Sequence, residues 1–129
     1  MVPKYIEDDI VKYNDKIMVI KEPRDGSHFD LFCPQEGSVY CLVDVEEIKP
    51  IPITSEILEK NRWKKKMYCD WCHYLPIEGN ILYLSKGIGI DGAFSVGVGQ
   101  DMSHIACISF VHQLQHLFFG LGINHEMEV

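Results

Sequence analysis

Residues 69–73, CDWCH, have the composition of a c-type haem attachment site: two cysteines three apart, then a histidine. The same cysteine pair can hold zinc or cycle as a redox disulfide. Each chemistry makes a demand on the surrounding sequence. Haem attachment of this kind needs export, and the opening MVPKYIEDDI predicts no signal peptide, because it holds no apolar stretch of the required length. A redox pair needs a helix opening at its second cysteine, whereas Leu75-Pro76 and a loop follow here. A zinc ribbon needs a second CxxC, and the sequence has none. The aromatic run 67–75 reads instead as a strand, in which Cys69 and Cys72 point to opposite faces. Five cysteines, an odd number, argue against a disulfide framework. Cys33, Cys41 and Cys107 stand alone and are expected to be small buried apolar residues.

Two further spacings invite chemistry. GIGIDG, residues 87–92, matches GxGxxG. A dinucleotide site needs a helix to open there and hold the pyrophosphate on its N-terminus. Ala93-Phe94-Ser95-Val96 reads as a strand, so glycines at a hairpin or bulge are the expectation. His112 and His116 are four apart, which places them on one face of a helix and permits zinc binding, with His125 as a third candidate. The glutamate of HExxH is missing, since position 113 is Gln113. No nucleophile stands beside a base. The expectation is a protein that is not an enzyme and carries neither metal nor cofactor, with a metal-dependent enzyme using His112 and His116 as the alternative.

These residues need elements to position them. Two apolar runs around Asn14-Asp15 predict a hairpin. Strands follow at 28–33 and 39–43, with a short helical turn at 44–48. Several short strands in about 50 residues predict a small SH3-like β-barrel. Thr54 or Ser55 then caps a helix reaching about Arg62, with Lys64-Lys65-Lys66 continuing as its solvated end. Strands at 81–84, 93–98 and 104–108, separated by Gly- and Asp-rich turns, read as an antiparallel meander. Ser109 caps a second helix over 110–121, which Gly122 ends, and 124–129 suit a short last strand. The fold class is therefore α+β, as an SH3-like barrel subdomain over 1–50 and an α+β subdomain over 51–129 that shares a core with it.

The chain of 129 residues carries a formal charge of −7. That field repels a phosphate backbone, so nucleic-acid binding is disfavoured. No window approaches the roughly 20 apolar residues of a membrane span. A cytoplasmic protein is expected.

The second helix is the most informative element. At about 100° per residue, Phe110, Val111, Leu114, Leu117, Phe118 and Leu121 form an apolar stripe about 120° wide, which is the core face. Phe119 falls on the other side, beside His112, Gln115 and His116. An aromatic among two histidines and a glutamine reads either as a contact with the barrel or as a partner surface. Together with Trp71, His73 and Tyr74, these residues are the candidates for binding.

The segments "VEEIKPIPITSEILEKNRWKK" and "FVHQLQHLFFGLGINHEMEV" resemble a family of uncharacterised small proteins from phages and mobile elements of gut Bacteroidales. Its members read like "IEPIPLTEEIL" in the middle and "YVHQLQNLYFAL" near the end. The two landmarks occur in order and cover about 40 of the 129 residues. The family pattern often has Asn where this chain has His116, which weighs against a metal ligand there, and CDWCH lies outside the pattern. The resemblance implies a phage or prophage origin and a bacterial host cytoplasm, and it brings no catalytic residues. The expected function is an accessory protein that binds a host protein or sequesters a small nucleotide-like ligand, such as a defence signal. Structural self-association is a further alternative.

Overall fold

The computed structural model describes residues 5–65, 72–86, 93–99, 103–123 and 127–129. Cys69, Trp71, the GIGIDG stretch and His125 lie outside the described residues. The fold is α+β, with mostly antiparallel strands in two open sheets and two helices. The chain divides into two compact units, 1–51 with 110–127 and 52–109 with 128–129. The second helix, however, groups with the N-terminal sheet and not with the residues that precede it.

The first unit is built on the sheet β1 (Ile10–Tyr13), β2 (Lys16–Pro23), β3 (His28–Cys33) and β4 (Ser38–Asp44), in that order. Asn14 and Asp15 both adopt left-handed φ, 55° and 61°, as a two-residue I′ turn requires. Period-2 alternation aims Met18 and Ile20 of β2, and Phe29, Leu31 and Cys33 of β3, into one core with Val11, Val43, Val45 and Ile48. The pairing closes no barrel, and β1 and β4 are the edges of an open sheet, in contrast to the SH3-like closure expected from the strand spacing.

One detail of β4 overturns a sequence expectation. Cys41 is exposed, not a buried apolar residue. The register of β3 and β4 shifts between Phe29 and Leu31, and Leu42 opposite takes a φ of 54°. The buried carboxylate of Asp30 supports this bulge by accepting the Leu42 N–H at 3.0 Å and the Arg24 Nε–H at 2.7 Å. The extra residue resets the alternation. Tyr40 and Val43 turn to the core while Val39, Cys41 and Leu42 turn out.

The second unit holds α1 (Ser55–Lys60) and the meander β5 (Lys64–Lys65), β6 (Cys72–Ile77), β7 (Asn80–Lys86), β8 (Phe94–Val98) and β9 (Ser103–Ile108). Thr54 caps α1, its Oγ1 accepting the Ile57 N–H at 3.2 Å. Asn61 ends the helix and Arg62 follows with φ 72°. That left-handed residue turns the chain, so Lys64 and Lys65 pair with Tyr74 and His73 as a strand and do not extend the helix. The short last strand is likewise absent among the described residues 127–129. The Asn61 side chain takes both backbone groups of Glu128, its Nδ2 donating to the carbonyl at 2.6 Å and its Oδ1 accepting the N–H at 2.8 Å. A side-chain amide thus replaces a strand partner. Cys107 is exposed on the edge strand β9, again against expectation. Among the described residues, no helix is long and apolar enough to cross a membrane.

Candidate functional site

The helix α2 (Val111–Gly120) brings three of the seven candidate residues together. Its N-cap is Phe110, and not Ser109 as the sequence suggested. Gln113 Oε1 accepts the Phe110 N–H at 3.0 Å, and the Val111 N–H donates to the Ile51 carbonyl at 2.8 Å. These bonds satisfy donors that a helix start leaves open. At the other end Gly122 has φ 72°, and the Ile123 N–H reaches back to the Phe118 carbonyl at 2.9 Å. Val111, Leu114 and Phe118 are buried, as the apolar stripe predicts, while Leu117 is half-buried and Leu121 exposed.

The polar side of α2 is also turned inward. His112 is 5% exposed and Gln115 1%. Gln115 reaches the outer edge of β1, where its Oε1 accepts the Ile10 N–H at 2.8 Å and its Nε2 donates to the Asp8 carbonyl at 2.9 Å. One residue pair further along the same edge, Lys12 and Lys49 exchange two backbone hydrogen bonds of 2.8 Å. The glutamine therefore continues, as a side chain, a pairing that Lys49 makes as backbone. An edge strand left open would present its unpaired groups to another chain.

The segment ahead of β1 completes the cluster. Asp8 has φ 74°, and Asp8 and Asp9 together face Ile20, the Asp8 N–H donating to its carbonyl and the Ile20 N–H to the Asp9 carbonyl. This bulge turns the Asp9 side chain inward, where it is nearly fully buried. Its Oδ2 accepts the Ile6 N–H at 2.8 Å and lies 2.7 Å from His116 Nε2. A buried carboxylate needs such partners. The His112 ring packs between Tyr5 (centroids 4.9 Å apart), Phe110 (6.0 Å, stacked) and His116 (5.6 Å). Tyr5 Oη and His112 Nδ1 are buried with no hydrogen-bond partner among the described residues.

The electrostatics follow from this packing. Burial, and secondly the neighbouring His116, push the His112 pKa down to about 4. Burial and then Asp9 push Tyr5 up to about 12. The folded protein keeps His112 neutral down to about pH 4, whereas the unfolded chain takes up that proton near its ordinary 6.5. Stability from this group is complete above pH 6.5 and drains away as pH falls towards 4. The cost reaches about 3 kcal/mol. Thermal melts of the protein and of His112→Phe at about pH 7 and pH 4.5 check this. The parent is expected to lose substantially more stability than the variant, and parallel losses would contradict the assignment.

The other candidates lie elsewhere. Phe119 is on α2 but 61% exposed. His73 and Tyr74 are on β6, in the second unit. His73 is buried with neither ring nitrogen hydrogen-bonded to a described residue. Burial lowers its pKa, Glu59 opposes that shift and Lys65 adds to it. Cys72 is buried, with the Ser85 hydroxyl donating to its sulfur at 3.5 Å. Among the described residues, no three His, Cys, Asp or Glu side chains gather as a metal would require. A metal bound through His116 Nε2 would have to displace Asp9. Sequence reasoning missed Asp9 and Tyr5. The available signal was the acid Asp9 placed directly before an apolar strand, 107 residues from the histidine that pairs with it.

No family model matches the chain, nor does any curated protein or solved structure.

Proposed function

We propose that this chain is a non-enzymatic accessory protein of a phage or mobile element that binds a host protein in the bacterial cytoplasm. The apolar residues left exposed at the end of α2 carry this reading. Its histidine at 112 and its glutamine at 115 are spent on internal contacts, while Phe119 and Leu121 stand out in solvent at 61% and 46% exposure. An exposed aromatic near a helix end is the type of residue enriched at interface centres. The test is native mass spectrometry of the protein isolated from infected cells, with the double variant Phe119→Ala, Leu121→Ala alongside. The parent is expected to retain a partner chain and the variant to lose it, with melting temperatures within a few degrees of each other. A variant that keeps the same partner at the same stoichiometry sinks the proposal. So does a loss of stability on the scale of a core deletion. A homodimer in the parent that the variant lacks would replace the host partner with self-association.

A second reading has an observation of its own. Tyr5 Oη and His112 Nδ1 are buried polar atoms without partners, and such atoms call for a missing group. A sequestered small polar molecule, such as a nucleotide-like defence signal, would supply one. The same spectrum reports it as a retained mass, and a bare protein mass in the parent argues against it.

A further inference from the structure

We propose that the cleft between the β1–β2 turn and residues 47–49 binds a phosphorylated sugar, with Lys12 and Lys49 on its phosphate and Asp15 and Glu47 on its hydroxyls. The backbone sets the two lysines side by side. Lys12 and Lys49 form an antiparallel bridge and exchange two hydrogen bonds of 2.8 Å. Such a pair has its Cα atoms about 5.5 Å apart and sends both side chains to the same face. Both residues are exposed. Like charges directly opposite one another are destabilising, and a dianion between the two ammonium groups turns that repulsion into attraction. At physiological salt the field of more distant acids is screened over about 8 Å, so the pair governs its own neighbourhood although the chain carries −7 overall.

The two lysines line a cleft of about 380 Å³ together with Tyr13, Asn14, Asp15 and Glu47. That volume falls within the ~300–1,000 Å³ of small-molecule sites. The fold holds its walls in place. Asn14 and Asp15 are fixed in left-handed φ at the turn. The Tyr13 ring packs edge-on against Tyr40, with centroids 5.7 Å apart. Glu47 ends the 3-10 turn Val45–Glu47, and Ile48 after it is buried. Two cations and two carboxylates in one lining select the ligand. A bare anion is drawn to the lysines but repelled by Asp15 and Glu47. An ammonium group meets the opposite conflict. Hydroxyls donate to carboxylates without adding charge, and a phosphate monoester brings a charge of about −1.5 to −2. A phosphorylated sugar carries both on one small frame. None of the six lining residues belongs to α2 or to the Tyr5–His112 cluster, so the site is independent of both readings above.

Titration of the full chain with ribose 5-phosphate, followed by the NMR shifts of its amides, tests the site, with inorganic phosphate and ribose as separate titrants. Ribose 5-phosphate is expected to move the amides of residues 12–15 and 47–49 saturably below about 10 mM, and to bind at least about five-fold more tightly than either fragment. Lys12→Gln and Lys49→Gln should each weaken it about ten-fold, the worth of one hydrogen bond to a charged group. Lys49→Arg keeps the charge and the donors, and should keep the binding. Without ligand, Lys49→Gln is expected to melt no lower than the parent, because it removes a like-charge pair. The proposal fails if ribose 5-phosphate moves no amide of the cleft by about 10 mM. It fails if inorganic phosphate binds as tightly, which is adventitious anion binding, or if both glutamine variants keep the affinity of the parent. A Lys49→Gln variant that melts well below the parent would overturn the like-charge premise. Should a variant not fold, the three titrations of the parent still decide.

Discussion

Leu114→Ala is expected to destabilise the first unit by about 2–5 kcal/mol. Leu114 is fully buried at the middle of the apolar stripe of α2, with Val111 one turn before it and Phe118 one turn after, both buried. The residue is held at both ends. The helix start is pinned to Ile51 and the Gln115 amide to β1, so α2 cannot slide to fill the space a methyl side chain leaves. A site that cannot collapse falls in the upper part of the range for such truncations, because the cavity term adds to the lost transfer energy. Phe119→Ala, on the same helix but facing solvent, should stay within about 0.5 kcal/mol. The choice of probe matters. Both tryptophans, Trp63 and Trp71, fall in the stretch 52–109, which belongs to the second unit. Tryptophan fluorescence therefore follows that unit, and the variant is better read by far-ultraviolet circular dichroism or by exchange of amides in β1 and β2. A loss under about 1 kcal/mol for Leu114→Ala would mean that α2 is only loosely seated on the sheet.

Local order was legible in the sequence, and its physical reasons are local. Asn14-Asp15 accept left-handed φ, so the hairpin between β1 and β2 is written in two residues. Thr54 begins α1 with its own hydroxyl. The apolar spacing of 111, 114 and 118 gives the core face of α2 directly. Long-range relations were not legible. Gln115 and His116 read as a polar face available to a partner, because nothing near them in sequence shows that residues 8–10 offer an open strand edge and a buried carboxylate. Such pairing depends on how the chain folds back, and a single sequence does not encode it as a pattern. The bulge at Leu42 illustrates the same limit on a smaller scale. Alternation through 39–43 puts Cys41 on the face of Val43, and one left-handed residue, supported by Asp30 twelve positions earlier, reverses that. The strand count suited a barrel, but strand spacing alone does not decide whether the last strand returns to the first.

Gln115→Met is expected to cost about 2–6 kcal/mol, although the replacement is similar in volume and apolar. Gln115 is 1% exposed and satisfies two backbone groups of the β1 edge, one as acceptor and one as donor. A thioether does neither well. The Ile10 N–H and the Asp8 carbonyl stay where they are, covered by the same helix, and each buried group without a partner costs about 1–3 kcal/mol. Gln115→Ala separates this effect from packing. If the small side chain lets water reach the edge, the two backbone groups regain partners and the alanine variant approaches the methionine variant in stability, its added cavity offset by hydration. If the space stays dry, alanine carries both penalties and is clearly the less stable. Denaturant titration of the two variants beside the parent, with the slope compared as well as the midpoint, distinguishes these outcomes. A methionine variant as stable as the parent would show that the edge of β1 does not depend on the glutamine. The cover over β1 would then rest on the Asp9–His116 contact and the apolar stripe alone.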